Sequence, residues 1–327
     1  MIDLISLVKT TGAYKVISQD KANGRLSHAY LVTCSDGDFL GEYLKILAKL
    51  IVCDAPNPCG VCRACRLIDK NAHSDVSIIP AEGDAVLVQD VASLIESSYV
   101  KPLEGDKKVF VITKGQNMNA QAQNKLLKTL EEPPVGVHIL IGTTSEYAML
   151  PTVKSRCKKV EIANFSNQVL FDVLKSECDD EQSLLSAIAC GDGTLGKACA
   201  LQNDQSLKTT MDLVLDVLVN MRSSKDVLAF SEKIVKSKID FSQIITVTEL
   251  FLRDLLCYKT GKADLVCNPT AIRMLAEQPG YSKGAIVYAL DKLAEAKKRK
   301  KFNANQTMLT EWLLFAILEG KFKWQKS

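Results

Sequence analysis

The amino-acid sequence predicts an α/β domain, with a parallel sheet flanked by helices, followed by two all-helical domains. Short apolar runs alternate with helical patterns up to about residue 163, and only helical patterns follow. Uninterrupted apolar runs are typical of strands that are buried on both faces of a parallel sheet. Because these strands alternate with helices, the layered α/β class is favoured for the first part of the chain.

The elements of the predicted α/β domain can be taken in chain order. The strands are predicted at 29–33, 76–80, 109–113, 138–144 and 158–163. The helices between them include 44–52, 88–100 and 119–131. The last of these should end at residue 131, because Pro133 and Pro134 follow it and proline cannot continue a helix.

The rest of the chain predicts two helical domains. A short helical region runs from 164 to 205, and amphipathic helices fill 206–327. Ile244, Val247 and Phe251 share one helix face, as expected for a helix that packs on a core. The predicted domains are therefore 1–163, 164–205 and 206–327.

Composition narrows the class of protein. A chain of 327 residues is long enough for two or three domains, and its net charge of +3 does not by itself indicate a nucleic-acid binder. The sequence shows neither a signal peptide nor an apolar segment of membrane-spanning length. Eleven cysteines without a secretion signal favour a reducing compartment and metal binding over disulfides. We therefore expect a cytoplasmic protein with no membrane association.

Four closely spaced cysteines predict a structural zinc site. Cys53, Cys59, Cys62 and Cys65 fall within thirteen residues with C-x5-C-x2-C-x2-C spacing. Zinc takes four tetrahedral ligands, and a C-x2-C pair supplies two thiolates from one turn. Four surface thiols or a redox pair are the alternatives, and His73 is an alternative ligand if one cysteine is not used. Four cysteine ligands would leave no open position for catalysis.

The segment "CSDGDFLGE" lies where an ATP-binding protein would place its phosphate loop, between a strand and a helix. Gly37 and Gly41 are present, but Cys34 replaces the first glycine of the G-x-x-x-x-G-K-[ST] pattern and Leu40 replaces its lysine. That lysine binds the β- and γ-phosphates in an active enzyme. We interpret the loop as degenerate.

A second requirement for ATP hydrolysis also fails. The acidic residues that complete a magnesium site should follow the strand at 109–113, where this chain has Thr113 and Lys114. Lys114 would place a positive charge where the cation should bind. The sequence therefore predicts that this chain binds no ATP and does not hydrolyse it.

Several motifs together resemble the delta-prime group of bacterial DNA polymerase III clamp-loader subunits, a branch of the AAA+ proteins. They are "LSHAYLV", the four-cysteine insert, "NAHSDVSIIP", "QAQNKLLKTLEEPP" and "LPTVKSRC". The resemblance is strong from about residue 24 to 163 and covers the rest in outline. It implies an AAA+ type α/β domain with the cysteine module at 53–65, a helical lid and a helical collar that joins subunits into a hetero-oligomer. Delta-prime members often have altered phosphate loops.

The resemblance also implies a role for Arg156. In the family, the arginine of the "SRC" motif acts as an arginine finger in the ATP site of the neighbouring motor subunit. Thr143 and Thr144 occupy the position of the family's first sensor. Gly196, with Lys197 beside it, occupies that of the second sensor arginine, so this element is predicted to be lost.

The resemblance implies a non-catalytic subunit of the DNA polymerase III holoenzyme, itself a DNA-directed DNA polymerase. Its implied partners are the gamma/tau motor subunits and delta, with the sliding clamp and primed DNA reached through the assembly. Two alternatives remain: an ATP-hydrolysing AAA+ motor subunit with a divergent loop, and a zinc-bearing nucleic-acid-binding module. The basic run at 297–301 could contact DNA phosphates, although solvation of a helix end is the expected role.

Overall fold

The structure, a computed structural model, describes residues 2–81, 83, 85–178, 180–202, 205–262, 265–301 and 305–324. Contacts divide the chain into two compact units. The first comprises Met1–Glu177 with Thr194–Gly196, and the second comprises Cys178–Gly193 with Lys197–Ser327. The three-domain division expected from the sequence stays a prediction.

The first unit contains a five-stranded parallel sheet. Its strands are β1 (Ala29–Cys34), β2 (Val76–Ile79), β3 (Lys108–Ile112), β4 (Val137–Thr143) and β5 (Lys158–Ile162). They lie in the order β2-β3-β4-β1-β5 and every pair is parallel. All five predicted strands are confirmed to within a residue or two, and the predicted α/β class with a parallel sheet is confirmed with them.

Burial explains why these segments form strands. Residues of β3 and β4 are buried throughout, so their apolar runs cover both faces of the sheet. Leu31 in β1 lies opposite Ile141 in β4 and Lys159 in β5. The exposed residues of β5 alternate with buried ones, as expected for the edge of a sheet.

The helices of the first unit connect and cover the strands. They are α1 (Leu4–Lys9), α2 (Gly12–Ala22), α3 (Leu40–Val52), α4 (Arg63–Asp69), α5 (Val88–Ser98), α6 (Ala120–Glu131), α7 (Pro151–Lys154) and α8 (Asn167–Leu174). Asn119 caps α6 by accepting a hydrogen bond from the Ala122 N–H at 2.8 Å. Helix α6 ends before the two prolines, as predicted.

Helix α3 begins one turn earlier than the sequence pattern predicted. The Asp36 carboxylate accepts a hydrogen bond from the Phe39 N–H at 3.2 Å, which satisfies one of the N–H groups at the helix start. Leu40 and Tyr43 are buried, so the first turn of α3 packs against the sheet rather than forming an exposed loop.

In the second unit, the regular elements of the described residues are all helices. Its helices are α9 (Glu181–Cys190), α10 (Leu195–Gln202, from Lys197 onward), α11 (Gln205–Asn220), α12 (Ser224–Lys236), α13 (Phe241–Lys259), α14 (Pro269–Ala276), α15 (Lys283–Lys301) and α16 (Gln306–Lys323). Its core contains the predicted face of α13, where Ile244, Val247 and Phe251 are each 3% exposed or less. Helices of the described segments all fall short of the length and apolarity that crossing a membrane would require.

Candidate functional sites

The four cysteines form one cluster. Every pair of sulfur atoms lies within 4.8 Å. Three pairs are 3.8, 3.9 and 4.0 Å apart: Cys53 with Cys59, Cys53 with Cys62, and Cys59 with Cys65. Sulfurs bound to one tetrahedral zinc at about 2.3 Å would lie about 3.8 Å from each other. The cluster could therefore hold a metal ion, and its donor set and spacing suit zinc.

Local backbone geometry brings the ligands together. Cys53 directly follows α3, and Cys62 caps the short helix α4. The Cys62 N–H donates to the Cys59 sulfur at 3.3 Å, and the Cys65 N–H donates to the Cys62 sulfur at 3.4 Å. Gly60 has a φ of +70°, a conformation that other residues rarely adopt. The turn is thus shaped to direct N–H groups at sulfur.

The surroundings of Cys59 and Cys65 shift the pKa values of their thiols in opposite directions. Backbone N–H groups of Cys62 and Val61 lower the pKa of the exposed Cys59 thiol to about 6. Burial raises the pKa of Cys65 to about 12, so this thiol carries its proton at neutral pH. Because a metal binds the thiolate, that proton has to be released when the metal binds. Metal affinity should therefore fall as the solution becomes acidic.

Helix α2 supports the cysteine segment from outside. The Lys21 ammonium donates to the carbonyl oxygen of Cys53 and to that of Ala55, the latter at 2.7 Å. The Tyr14 hydroxyl donates to the Asn57 side-chain oxygen at 2.8 Å. Burial lowers the pKa of Lys21, and the neighbouring Cys53 sulfur opposes that shift. A cation here offsets the negative charge that four thiolates would carry.

His73 lies outside the sulfur cluster. Its Nδ1 accepts a hydrogen bond from the Asp75 N–H at 3.1 Å, and the ring is buried. Among the described residues, the metal-binding group found here consists of the four cysteines alone. The geometry therefore favours four cysteine ligands over the alternative that includes His73.

The phosphate-loop segment is packed as part of the core. Leu40 is 1% exposed, and together with Leu44 it lies against Gly142 of β4. Cys34 is also buried, which raises the pKa of its thiol to about 11. Gly41 faces the Thr113 methyl group, since a Cβ there would lie 3.8 Å from it. At the position where a phosphate loop has its lysine, this chain thus has a buried apolar side chain, that of Leu40.

Asp36 is the feature of this loop that the sequence pattern did not reveal. Its carboxylate is 4% exposed and accepts three hydrogen bonds. The donors are the Phe39 N–H at 3.2 Å, the Tyr43 hydroxyl at 3.1 Å and the Gly196 N–H at 3.0 Å. A helix N-terminus normally offers its N–H groups to an anion such as phosphate. Here a carboxylate of the chain already lies at the N-terminus of α3.

Gly196 has a steric reason to be glycine. A Cβ at this position would lie 2.7 Å from an Asp36 carboxylate oxygen and 2.8 Å from the Asp38 side chain. Any larger residue would have to displace these acidic groups. The position of the expected second sensor is thus closely packed against the degenerate loop.

The remaining predicted nucleotide positions make local contacts. The Thr113 hydroxyl donates to the Ile79 carbonyl oxygen at 3.3 Å. The buried Thr143 hydroxyl donates to the Ser145 carbonyl oxygen at 2.9 Å, and the Thr144 N–H donates to Gln116 at 3.2 Å. Lys114 is half-buried and lies just after the carboxyl end of β3. Thr113 and Lys114 bring no carboxylate to this end of the strand.

Arg156 lies between α7 and β5, away from its own chain's phosphate loop in sequence. Its side chain is 34% exposed and forms an ion pair with Glu131, the last residue of α6. Its Nη1 also donates to the Thr152 carbonyl oxygen at 2.9 Å and to the Ser155 hydroxyl at 3.4 Å. The guanidinium is thus ordered and still reachable from solvent.

Gln123 fixes the segment that leads to Arg156, and sequence reasoning missed it. This buried amide donates to the carbonyl oxygens of Met118 and Ala148, both at 3.0 Å. It also accepts a hydrogen bond from the Leu150 N–H at 2.7 Å. Gln123 and Glu131 are eight residues apart on α6, so helical spacing could have placed them on related faces.

The basic run at the end of α15 is largely neutralised. Lys297 pairs with Glu249, Arg299 with Glu295, and Lys300 with Asp240. The side chain of Lys301 lies outside the described residues. These pairs favour a solvated helix face over a phosphate-binding surface.

Comparisons with known proteins find similarity to subunits of DNA polymerase III. A family model described as "DNA polymerase III, delta subunit" matches residues 9–166. DNA polymerase III subunit delta' of Bacillus subtilis (strain 168) is 25% identical over 94% of both chains. DNA polymerase III subunit gamma of Buchnera aphidicola subsp. Schizaphis graminum is 24% identical over 94% of this chain and 93% of its own.

A solved structure is also similar over most of its length. It is that of a DNA polymerase III gamma subunit-related protein of Thermotoga maritima, matched over 97% of this chain and 98% of that chain at 17% identity, with a TM-score of 0.42. A likeness of this degree says nothing about activity. On the sequence matches and the motifs together, this chain resembles bacterial DNA polymerase III subunits of the delta' and gamma types.

Proposed function

We propose that this chain is a non-catalytic, delta-prime type subunit of a cytoplasmic clamp loader. It assembles with gamma/tau motor subunits and a delta subunit, and the assembly loads a sliding clamp on primed DNA. The subunit binds no ATP of its own. Arg156 completes the ATP site of a neighbouring motor subunit.

The observation that carries this proposal is the state of the phosphate loop. The carboxylate of Asp36 accepts the hydrogen bonds that α3 and Gly196 would otherwise offer to an anion. Phosphate oxygens brought to this position would meet a like charge in a buried setting, where repulsion is weakly screened. Leu40 supplies no compensating cation. The rival hypothesis of an ATP-hydrolysing motor subunit is therefore disfavoured.

The role of Arg156 rests on its chemistry and its accessibility. A guanidinium stays charged at any relevant pH and binds phosphate oxygens through parallel N–H groups. The side chain is partly exposed, and its backbone is fixed by the short helix α7 and by β5. An arginine supplied from a neighbouring subunit can raise phosphoryl-transfer rates by about 10³–10⁵-fold.

The cysteine cluster is assigned a structural Zn²⁺. It fixes the segment between α3 and α4, which is too short to bury a core of its own. With four thiolate ligands, the zinc would have no open position for a substrate or a water molecule. When bound, it would act as a cross-link rather than as a catalyst.

The test is to rebuild the assembly with Arg156→Ala. The complex should still form, because Arg156 is partly exposed and contributes little to the core. DNA-dependent ATP turnover at the site that it serves should fall by at least about 10³-fold. Lys159→Ala is the matched control, since Lys159 is a nearby exposed cation paired with Glu146. Unchanged turnover with Arg156→Ala would refute the role of the arginine.

A second measurement tests whether the degenerate phosphate loop binds ATP. We expect the isolated chain to show no magnesium-dependent ATP binding in a titration up to millimolar nucleotide. Binding in the micromolar range would favour the motor-subunit hypothesis instead. Salt-sensitive, sequence-independent DNA binding by the isolated chain would favour the nucleic-acid-binding hypothesis.

A further inference from the structure

The ion pair between Arg156 and Glu131 joins two parts of the first unit that are distant in sequence. Glu131 is 25 residues before Arg156 and ends α6, whereas Arg156 follows α7. Both side chains remain partly exposed, at 34% for Arg156 and 49% for Glu131. The pair therefore lies at the surface, where an approaching phosphate could reach the guanidinium.

Glu131 is attached to a rigid support. The residues just before it, Thr129 and Leu130, are buried at 0% and 1% exposure. At the other end of α6, Gln123 is bound to the backbone of Ala148 and Leu150 through its side-chain amide. Helix α6 is thus held at both ends against the segment that carries Arg156. A carboxylate on such a helix can fix the direction of a long, flexible side chain.

The contacts of Arg156 leave part of its guanidinium available. The group has five N–H donors. Among the described residues, three acceptors engage it: the Thr152 carbonyl oxygen, the Ser155 hydroxyl and the Glu131 carboxylate. Two donors remain, which is the number that a forked contact with phosphate oxygens requires. Glu131 can therefore stay bound while Arg156 contacts a phosphate.

We propose that Glu131 is a positioning residue for Arg156: it holds the guanidinium in the orientation that reaches the neighbouring subunit's ATP. This inference rests on the proposed function of Arg156. Without the carboxylate, only the contacts of Nη1 with Thr152 and Ser155 would restrain the arginine side chain, and fixing it in the transition state would cost entropy. Glu131 removes most of that cost before the subunits meet.

The experiment compares Glu131→Ala, Glu131→Gln and Glu132→Ala in the reconstituted assembly. Glu131→Ala should lower DNA-dependent turnover at saturating ATP about three- to tenfold, with an unchanged KM for ATP. Glu131→Gln keeps a side-chain oxygen that can accept from Arg156, so it should retain most of the turnover. Glu132→Ala is the matched control, because this neighbouring carboxylate is exposed and is not one of the three acceptors of Arg156 described above. It should match the parent chain.

A double variant separates positioning from a general effect on structure. If Glu131 acts through Arg156, adding Glu131→Ala to Arg156→Ala should lower turnover no further. A further loss in that background, or no loss with Glu131→Ala alone, would overturn the inference. Increased turnover with Glu131→Ala would also overturn it, since that would mean that Glu131 restrains the arginine unproductively.

These outcomes differ from failure of the proposed function. If Arg156→Ala leaves turnover unchanged, the arginine has no catalytic role, and the role of Glu131 fails with it. If Arg156→Ala lowers turnover but Glu131→Ala does not, the proposed function stands and only the positioning role is lost. Thermal melting of each isolated variant excludes unfolding as the cause.

Discussion

Replacing Asp36 with alanine should destabilise the first unit without creating an ATP site. Asp36 is almost fully buried, and its carboxylate is the acceptor for the Phe39 N–H, the Tyr43 hydroxyl and the Gly196 N–H. Removing the acceptor leaves three polar groups to find water or to stay unpaired. Each such loss costs about 1 kcal/mol where water can enter, and more where it cannot. We expect a loss of about 3 kcal/mol in the free energy of unfolding.

The measurement is urea unfolding followed by circular dichroism, combined with hydrogen exchange at the amides of Phe39 and Gly196. Exchange resolves the local effect, since a chain with two compact units need not unfold in a single transition. Asp36→Asn is the control: it keeps one acceptor oxygen and should lose less stability than Asp36→Ala. ATP binding should stay absent in both variants, because Leu40 provides no charge.

The result that would refute this reasoning is specific. If Asp36→Ala loses less than about 1 kcal/mol and both amides exchange as in the parent chain, the three hydrogen bonds do not hold the loop. If Asp36→Ala gains magnesium-dependent ATP binding, the carboxylate alone was blocking an otherwise competent site.

Two further predictions concern the cysteine cluster and a buried lysine. The purified chain should contain one zinc per molecule by elemental analysis; Cys65→Ser should lose it, whereas Cys178→Ser, outside the cluster, should keep it. Burial lowers the pKa of Lys321 from 10.5 to about 8, with Arg222 as a smaller cause. Between these two pH values, Lys321 is protonated in the unfolded chain and largely deprotonated in the folded chain. Its contribution to the free energy of unfolding should therefore rise with pH from about 8 to 10.5, by at most about 3 kcal/mol. Unfolding of Lys321→Met and the parent chain at pH 7.5 and 9.5 checks this, and an equal pH dependence in both would contradict it.

Geometry around Lys321 explains why this lysine is tolerated in the second unit. Its ammonium donates to the carbonyl oxygens of Leu218 and Met221 at 3.1 and 3.0 Å, near the end of α11. It also lies 4.2 Å from the centre of the Tyr281 ring. Cations are favoured at helix C-termini and over aromatic faces, so these contacts offset part of the cost of burial.

Local pattern was sufficient for much of the fold. The five strands could be predicted from their apolar residues, which are buried almost throughout in β1, β3 and β4 and less completely in the edge strands β2 and β5. The end of α6 could be predicted because two prolines follow it and proline cannot continue a helix. The start of α3 could not, since it depends on a hydrogen bond from the Phe39 N–H to the Asp36 side chain rather than on periodicity.

The sequence by itself determined which chemical groups this protein has: four cysteines spaced for one metal ion, a loop without its lysine, and a strand end without carboxylates. These are local properties, and residues a few positions apart are close in any fold. The tertiary structure alone decided what the groups contact. It brought Asp36 to Gly196, 160 residues away, and Arg156 to Glu131. Such pairings depend on how distant segments pack and on the direction in which each side chain leaves its helix or loop, and neither is encoded in the spacing of residues along the chain.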